Sequence, residues 1–87
     1  MPNYVIVLSK KARKILDNLS DNIAEPIHDA IITLEENPRP VGYKKLKNRN
    51  AYRIRTGDYR IIYEIIDNKL IITIITIGHR KDIYKNI

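Results

Sequence analysis

The chain has 87 residues, a net charge of +6, no cysteine and two histidines. That length suits a single domain over residues 1–87, and 44% hydrophobic with 30% charged residues is the composition of a globular chain, not a disordered one. The missing cysteine excludes disulfides, thiolate nucleophiles and Cys-ligated zinc, and two histidines offer no His-rich site, so neither a metal nor a cofactor is expected.

Residues 3–8, NYVIVL, read as a first strand. Their apolar run is shorter than the roughly 7–15 residues of a secretory signal. Ser9 suits the cap of a helix over residues 10–18, whose Ala12, Ile15, Leu16 and Leu19 follow the spacing of one apolar stripe. LSDN at residues 19–22 is a break. A second helix follows, with Ile23, Ile27, Ala30, Ile31 and Leu34 on one face. Pro26 damages a helix interior, so this helix is expected to start after Asp21 or to bend there. His28 lies on it as a lone packing or surface residue. ENPRP ends the helix.

Residues 41–50 are basic and irregular. Three strands follow at residues 51–55, 59–66 and 70–77, with Gly57-Asp58 and Asp67-Asn68 as two-residue turns. The apolar run at residues 61–77 is broken by Glu64, Asp67 and Lys69. It falls short of the roughly 20 apolar residues of a membrane span, so no membrane and a cytoplasmic location are expected. The element order β-α-α-β-β-β implies an α+β domain, an antiparallel sheet packed on a helical hairpin.

Folding the chain about Gly57-Asp58 pairs Thr56 with Tyr59, Arg55 with Arg60, Ile54 with Ile61, Arg53 with Ile62 and Tyr52 with Tyr63. Alternation puts Tyr52, Ile54, Ile61 and Tyr63 on the helix face and Arg53, Arg55 and Arg60 on the other. A turn at Asp67-Asn68 then sets Arg60 against Ile75, adds Ile72, Ile74 and Thr76 to the core, and turns Ile75, Ile77 and His79 toward the arginines. Gly78 is expected to end or bend the strand. Like charges directly opposite on a sheet are destabilising; at about 6 Å they repel by about 0.7 kcal/mol in water. Either Asp58 and Glu64 neutralise them in a surface ion-pair lattice, or an outside anion completes the site. Arginine's planar fork suits phosphate. Between Arg39 and Arg60 lie eight basic residues and one acid, Asp58, so this segment carries more than the whole net charge. That is the footprint of a polyanion or an acidic partner.

The stretches KKLKNRNAYRIRTGDYRIIYEI, residues 44–65, and ITIGHRKDIY, residues 75–84, resemble the RelE/ParE superfamily of toxins, and the element order extends the resemblance over almost the whole chain. It implies a RelE-like fold and a toxin of a type II toxin–antitoxin pair. In the RelE branch such a toxin is a metal-independent endoribonuclease that cuts mRNA in the ribosomal A site. The resemblance carries its catalytic residues onto Arg53, Arg55, Arg60, Arg80 and Tyr84; Lys44, Lys45, Lys47 and Arg49, from the basic cluster, are the candidate RNA- and ribosome-binding residues. The best-matched family layout has lysines at the positions of Arg53 and Arg55. Arginine effectively keeps its proton, so neither should be a general base. His79 is the imidazole nearby and the candidate acid or base; Tyr84 could stack on a base or relay a proton. The implied partners are a RelB-like antitoxin with an acidic or amphipathic segment, the ribosome and mRNA. The ParE branch, which shares the fold but binds DNA gyrase without cutting RNA, and a non-catalytic ribosome- or RNA-binding protein are the alternatives.

Overall fold

Ser9 joins the first strand to the first helix. Its hydroxyl oxygen accepts the Ala12 N–H at 3.0 Å, and its O–H donates to the Ile75 carbonyl at 2.7 Å. The computed structural model describes residues 3–47 and 49–80. The chain runs through β1 (Val5–Leu8), α1 (Lys10–Asn18), α2 (Asp21–Thr33), β2 (Lys44–Lys45), β3 (Tyr52–Thr56), β4 (Tyr59–Ile66), one turn of 3₁₀ helix (Asp67–Lys69) and β5 (Ile71–His79). This is the expected α+β order with one addition: the basic segment contributes the short edge strand β2. None of these helices is long and apolar enough to cross a membrane.

The apolar stripes of both helices meet one face of the sheet. Ala12, Ile27, Ile31 and Leu34 are buried there with Ile54, Ile61, Tyr63, Ile72, Ile74 and Ile77. α2 starts at Asp21, not later, and carries Pro26 inside it. The proline lies past the first turn, so the helix lacks the bond that an N–H at position 26 would give to the carbonyl of residue 22. Tyr63 is fully buried, and its O–H donates to the Pro38 carbonyl at 2.7 Å, which satisfies the phenol. Burial pushes its pKa well above that of a free tyrosine.

The strand order is β1-β5-β4-β3-β2. β1 pairs with β5 in parallel and every other pair is antiparallel. The strands after β1 form the expected antiparallel meander, and the parallel β1–β5 pair makes the sheet as a whole mixed. Parallel neighbours need a long crossover, and everything between β1 and β5 supplies one.

The β3–β4 hairpin has the expected register, Arg55 opposite Arg60 included. Gly57 has φ 59°, and a left-handed first turn position is what a II′ turn asks of glycine. The β4–β5 connection differs from expectation. Ile66 pairs with Ile71, so the loop spans Asp67, Asn68, Lys69 and Leu70, and Leu70 closes it at φ 55°. Asp67 serves a tertiary latch there: Arg39 donates to its carboxylate at 3.0 and 3.4 Å, and the Tyr4 O–H donates at 2.7 Å.

A second correction follows further along β5. Ile62 pairs with Thr76 but Tyr63 pairs with Ile74, so Ile75 is the extra residue of a β-bulge. One extra residue reverses the alternation beyond it. Ile77, expected on the arginine side, is instead 1% exposed in the helix-side core. Thr76, expected in that core, shares the arginine face through its pairing with Ile62.

Candidate RNA-binding and catalytic face

The register lays two rows across the face away from the helices. One is Lys44–Arg53–Ile62–Thr76; the other is Arg55–Arg60–Gly78. β3 and β4 contribute the arginines because their other alternate positions, Tyr52, Ile54, Ile61 and Tyr63, are taken by the core face. Arg60 therefore faces Gly78, not Ile75 as expected.

This face is not bare polar sheet. Ala51 and Ile62 are fully buried on it, with Leu46 and Ile75 packed around them. The Leu46 N–H donates to the Ala51 carbonyl at 2.9 Å, which folds the basic segment onto the sheet. This apolar floor was missed in the sequence, although the doublets Ile61-Ile62 and Ile74-Ile75 carry its signal. A strand covered on both faces reads as an apolar run, not as alternation.

The arginines rise around that floor. Arg53 and Arg60 are half-buried and Arg55 is exposed. The Nε of Arg60 is buried with no hydrogen-bond partner among the described residues. The ion pairs among the described residues are Arg39–Asp67 and His28–Asp29, and neither involves Arg55 or Arg60. The lattice in which Asp58 and Glu64 would neutralise these two arginines is therefore not formed among the described residues. Both acids are exposed. An electropositive surface over an apolar floor can hold an anionic chain and stabilise charge that develops on it.

The strand ladder continues one bond past β5: the Arg80 N–H donates to the Asp58 carbonyl at 2.8 Å. Alternation carried that far returns Arg80 to the arginine side. His79 goes the other way. It pairs with Tyr59, and its ring meets the Tyr59 ring edge-on at 5.7 Å between centroids and 81° between planes. Tyr59 packs against the helix-side core, so His79 belongs to the face opposite Arg60, contrary to expectation. The physical cause is the bulge at Ile75, which shifts every later residue by one face.

Lys44 shares the row of Arg53. Lys45 pairs with Tyr52 on the other face, while Lys47 and Arg49 are exposed in the segment between β2 and β3. Tyr84 lies outside the described residues. Arg39, which sequence reasoning did not connect with any partner, stacks over the Tyr52 ring at 5.6 Å and ties the helix exit to Asp67.

Residues 6–84 match the family described as the ParE toxin of the type II toxin–antitoxin system parDE. The chain belongs to this RelE/ParE family of toxins.

Its relatives agree over nearly its full length. The toxin is 33% identical to toxin RelG of Mycobacterium tuberculosis, over 94% of this chain and 97% of that one. It is 26% identical to the mRNA interferase toxin RelE of Escherichia coli, over 90% of this chain and 84% of that one. Its fold is similar to that in the RelE–RelB complex of Pyrococcus horikoshii, with a TM-score of 0.79 and 28% identity, over 88% of this chain and 94% of that one.

Proposed function

We propose that this toxin is an mRNA endoribonuclease that cleaves messages in the ribosomal A site, acts in the cytoplasm, and is held in check by a RelB-like antitoxin. The reading rests first on one observation: Arg55 stands opposite Arg60 on a sheet, and no ion pair among the described residues neutralises either. Such an arrangement costs the free protein stability and is relieved when an anionic backbone binds. The relative named mRNA interferase adds support on the side of activity, and the RelE–RelB complex adds support on the side of the partner.

The chemistry is in-line attack of a ribose 2′-oxygen on the adjacent phosphorus. A bond forms between the 2′-oxygen and phosphorus, and the bond to the 5′-oxygen breaks. The 2′ proton leaves to a base and a proton is delivered to the departing 5′-oxygen, giving a 2′,3′-cyclic phosphate and a 5′-hydroxyl. Arg53, Arg55, Arg60 and Arg80 act as fixed cations for the extra charge of the phosphorane, a role that needs no proton transfer from them. Lys44 extends the basic row along the message.

The test is to programme ribosomes with a defined message, add the toxin and map 3′ ends by primer extension. New ends within A-site codons are expected. Intact message together with inhibition of DNA supercoiling would instead make the protein a gyrase-binding toxin. RNA binding with neither outcome would make it a non-catalytic ribosome-binding protein.

A further inference from the structure

The sheet has two edges, and they are defended differently. β2 is two residues long and both are lysine, which is how an edge is kept from pairing with another chain. β1 reads Val5-Ile6-Val7-Leu8, with no charge, proline or bulge in it. Val5 is 61% exposed and Val7 44%. The Val5 and Ser9 N–H groups donate to the carbonyls of Leu70 and Ile74, on the β5 side. Strand alternation then points the backbone N–H and C=O of Tyr4, Ile6 and Leu8 outward. The Glu35 carbonyl takes the Tyr4 N–H at 2.9 Å. Ile6 and Leu8 keep their outward N–H and C=O groups with no strand beside them among the described residues.

Those groups restrict what can cover them. A second β1, run antiparallel, satisfies all of them when Ile6 pairs with Leu8 of the second copy and Leu8 with its Ile6. Val7 then meets Val7 of the second copy on the twofold axis, as a non-hydrogen-bonded pair. A register with Ile6 opposite itself would need the Tyr4 N–H, which Glu35 already holds. The flanks agree. A groove of about 190 Å³ runs along the helix side of this edge, lined by Ile6, Leu8, Leu16 and the exposed Ile32, with Arg13 and Glu35. Arg13 lies in the first turn of α1, beyond the Leu8 end, and Glu35 adjoins the Tyr4 end. Neither is in an ion pair among the described residues. Reversing the second copy brings its Glu35 toward Arg13 and its Arg13 toward Glu35, the self-complementarity that a twofold interface requires.

We infer that β1 is a self-association edge: two copies of the free toxin pair their β1 strands antiparallel about Val7 and join two five-stranded sheets into one. The axis stands perpendicular to the sheet, so both helix layers fall on one side and both arginine faces on the other. The paired segment is short beside the interfaces of stable complexes, which bury about 1,200–2,000 Å², so the association is micromolar and reversible. It does not depend on the endoribonuclease reading.

The test is sedimentation velocity of the free full-length toxin from about 1 to 500 μM. A monomer–dimer equilibrium is expected, weakened by added salt through screening of the two ion pairs. Val7→Lys sets like charges opposite each other on the axis and should stay monomeric at the parent melting temperature, since Val7 is exposed. Arg13→Glu and Glu35→Arg should each weaken the dimer, and the double swap should restore it. The chain has no cysteine, so single cysteines read the register. Under a mild oxidant Val7→Cys should cross-link, because non-hydrogen-bonded neighbours stand about 4.5 Å apart, within disulfide reach. Val5→Cys, although more exposed, should not: it lies opposite Ser9 of the second copy, which leaves two such cysteines roughly 13 Å apart. Equal cross-linking of the two variants would overturn the proposal, as would a toxin that stays monomeric throughout. A dimer that Val7→Lys leaves intact would place the contact on another face and overturn it too. A monomeric toxin that loses its antitoxin on Val7→Lys would assign the edge to the antitoxin instead.

Discussion

His79 and Tyr59 face each other across β5 and β4 on the helix side of the sheet, ring edge to ring face at 5.7 Å. This contact pins the end of β5, and the next residue, Arg80, is tied to the β3–β4 turn through the Asp58 carbonyl. The role expected of His79 is therefore to position Arg80, not to move a proton. Phenylalanine preserves an edge-to-face contact without a titrating group. His79→Phe should keep cleavage within about threefold of the parent, with an unchanged pH–rate profile between pH 5 and 8, while His79→Ala should be slower. A loss of about 10²-fold or more in His79→Phe, the scale of general acid–base catalysis, would return His79 to the chemistry.

The arginines should separate stability from activity. Arg60→Ala and Arg80→Ala are each expected to lose about 10²–10³-fold in cleavage, the scale for removing one charge-stabilising group from a transition state. Both should abolish growth inhibition. Arg55→Gln should also weaken cleavage, yet raise the melting temperature of the free toxin, because it removes a like-charge pair worth about 0.7 kcal/mol in water. Added salt should narrow that gain by screening. Full toxicity of both alanine variants would remove these residues from the site.

Binding to RNA should depend steeply on salt. With about five phosphate contacts to a single strand, the log–log slope of affinity against salt should approach about −3.5. Arg55→Gln should reduce it by about 0.7. Filter binding from 50 to 300 mM salt measures both, and a flat dependence would speak against phosphate recognition.

The latch at Asp67 predicts an acid limb of stability. The Arg39 guanidinium, and after it the Tyr4 hydroxyl, hold the Asp67 carboxyl below the usual carboxylate range. A depressed pKa in the folded state stabilises above the unfolded value of about 4 and is lost as pH falls through the folded value. Asp67→Asn should therefore melt lower than the parent at pH 7, with the difference closing below about pH 4. The pair is exposed, so the effect should be modest. Equal melting temperatures at pH 7 would show that the latch contributes nothing.

Much of this molecule is legible from local rules. The bounds of α1 follow from Ser9 and one apolar stripe, and both the bounds of β4 and the whole β3–β4 register follow from the Gly57-Asp58 turn. Asp67-Asn68 misleads because the turn there answers to distant partners: Arg39 and Tyr4 take the carboxylate, and the loop takes two further residues. The two-residue strand β2 and the apolar floor around Ala51 and Ile62 depend on a segment folding back over the sheet, which no local periodicity reports.

That Arg55 meets Arg60 on one face follows from local rules, because a two-residue turn sets strand pairing and alternation does the rest. Which residues of β5 join them was decided only in three dimensions. The bulge at Ile75 exchanges Thr76 for Ile77, turns His79 to the helices and brings Gly78 opposite Arg60. A bulge is settled by competition between the two packed faces of a strand, and that competition exists only once helices, sheet and basic segment are assembled.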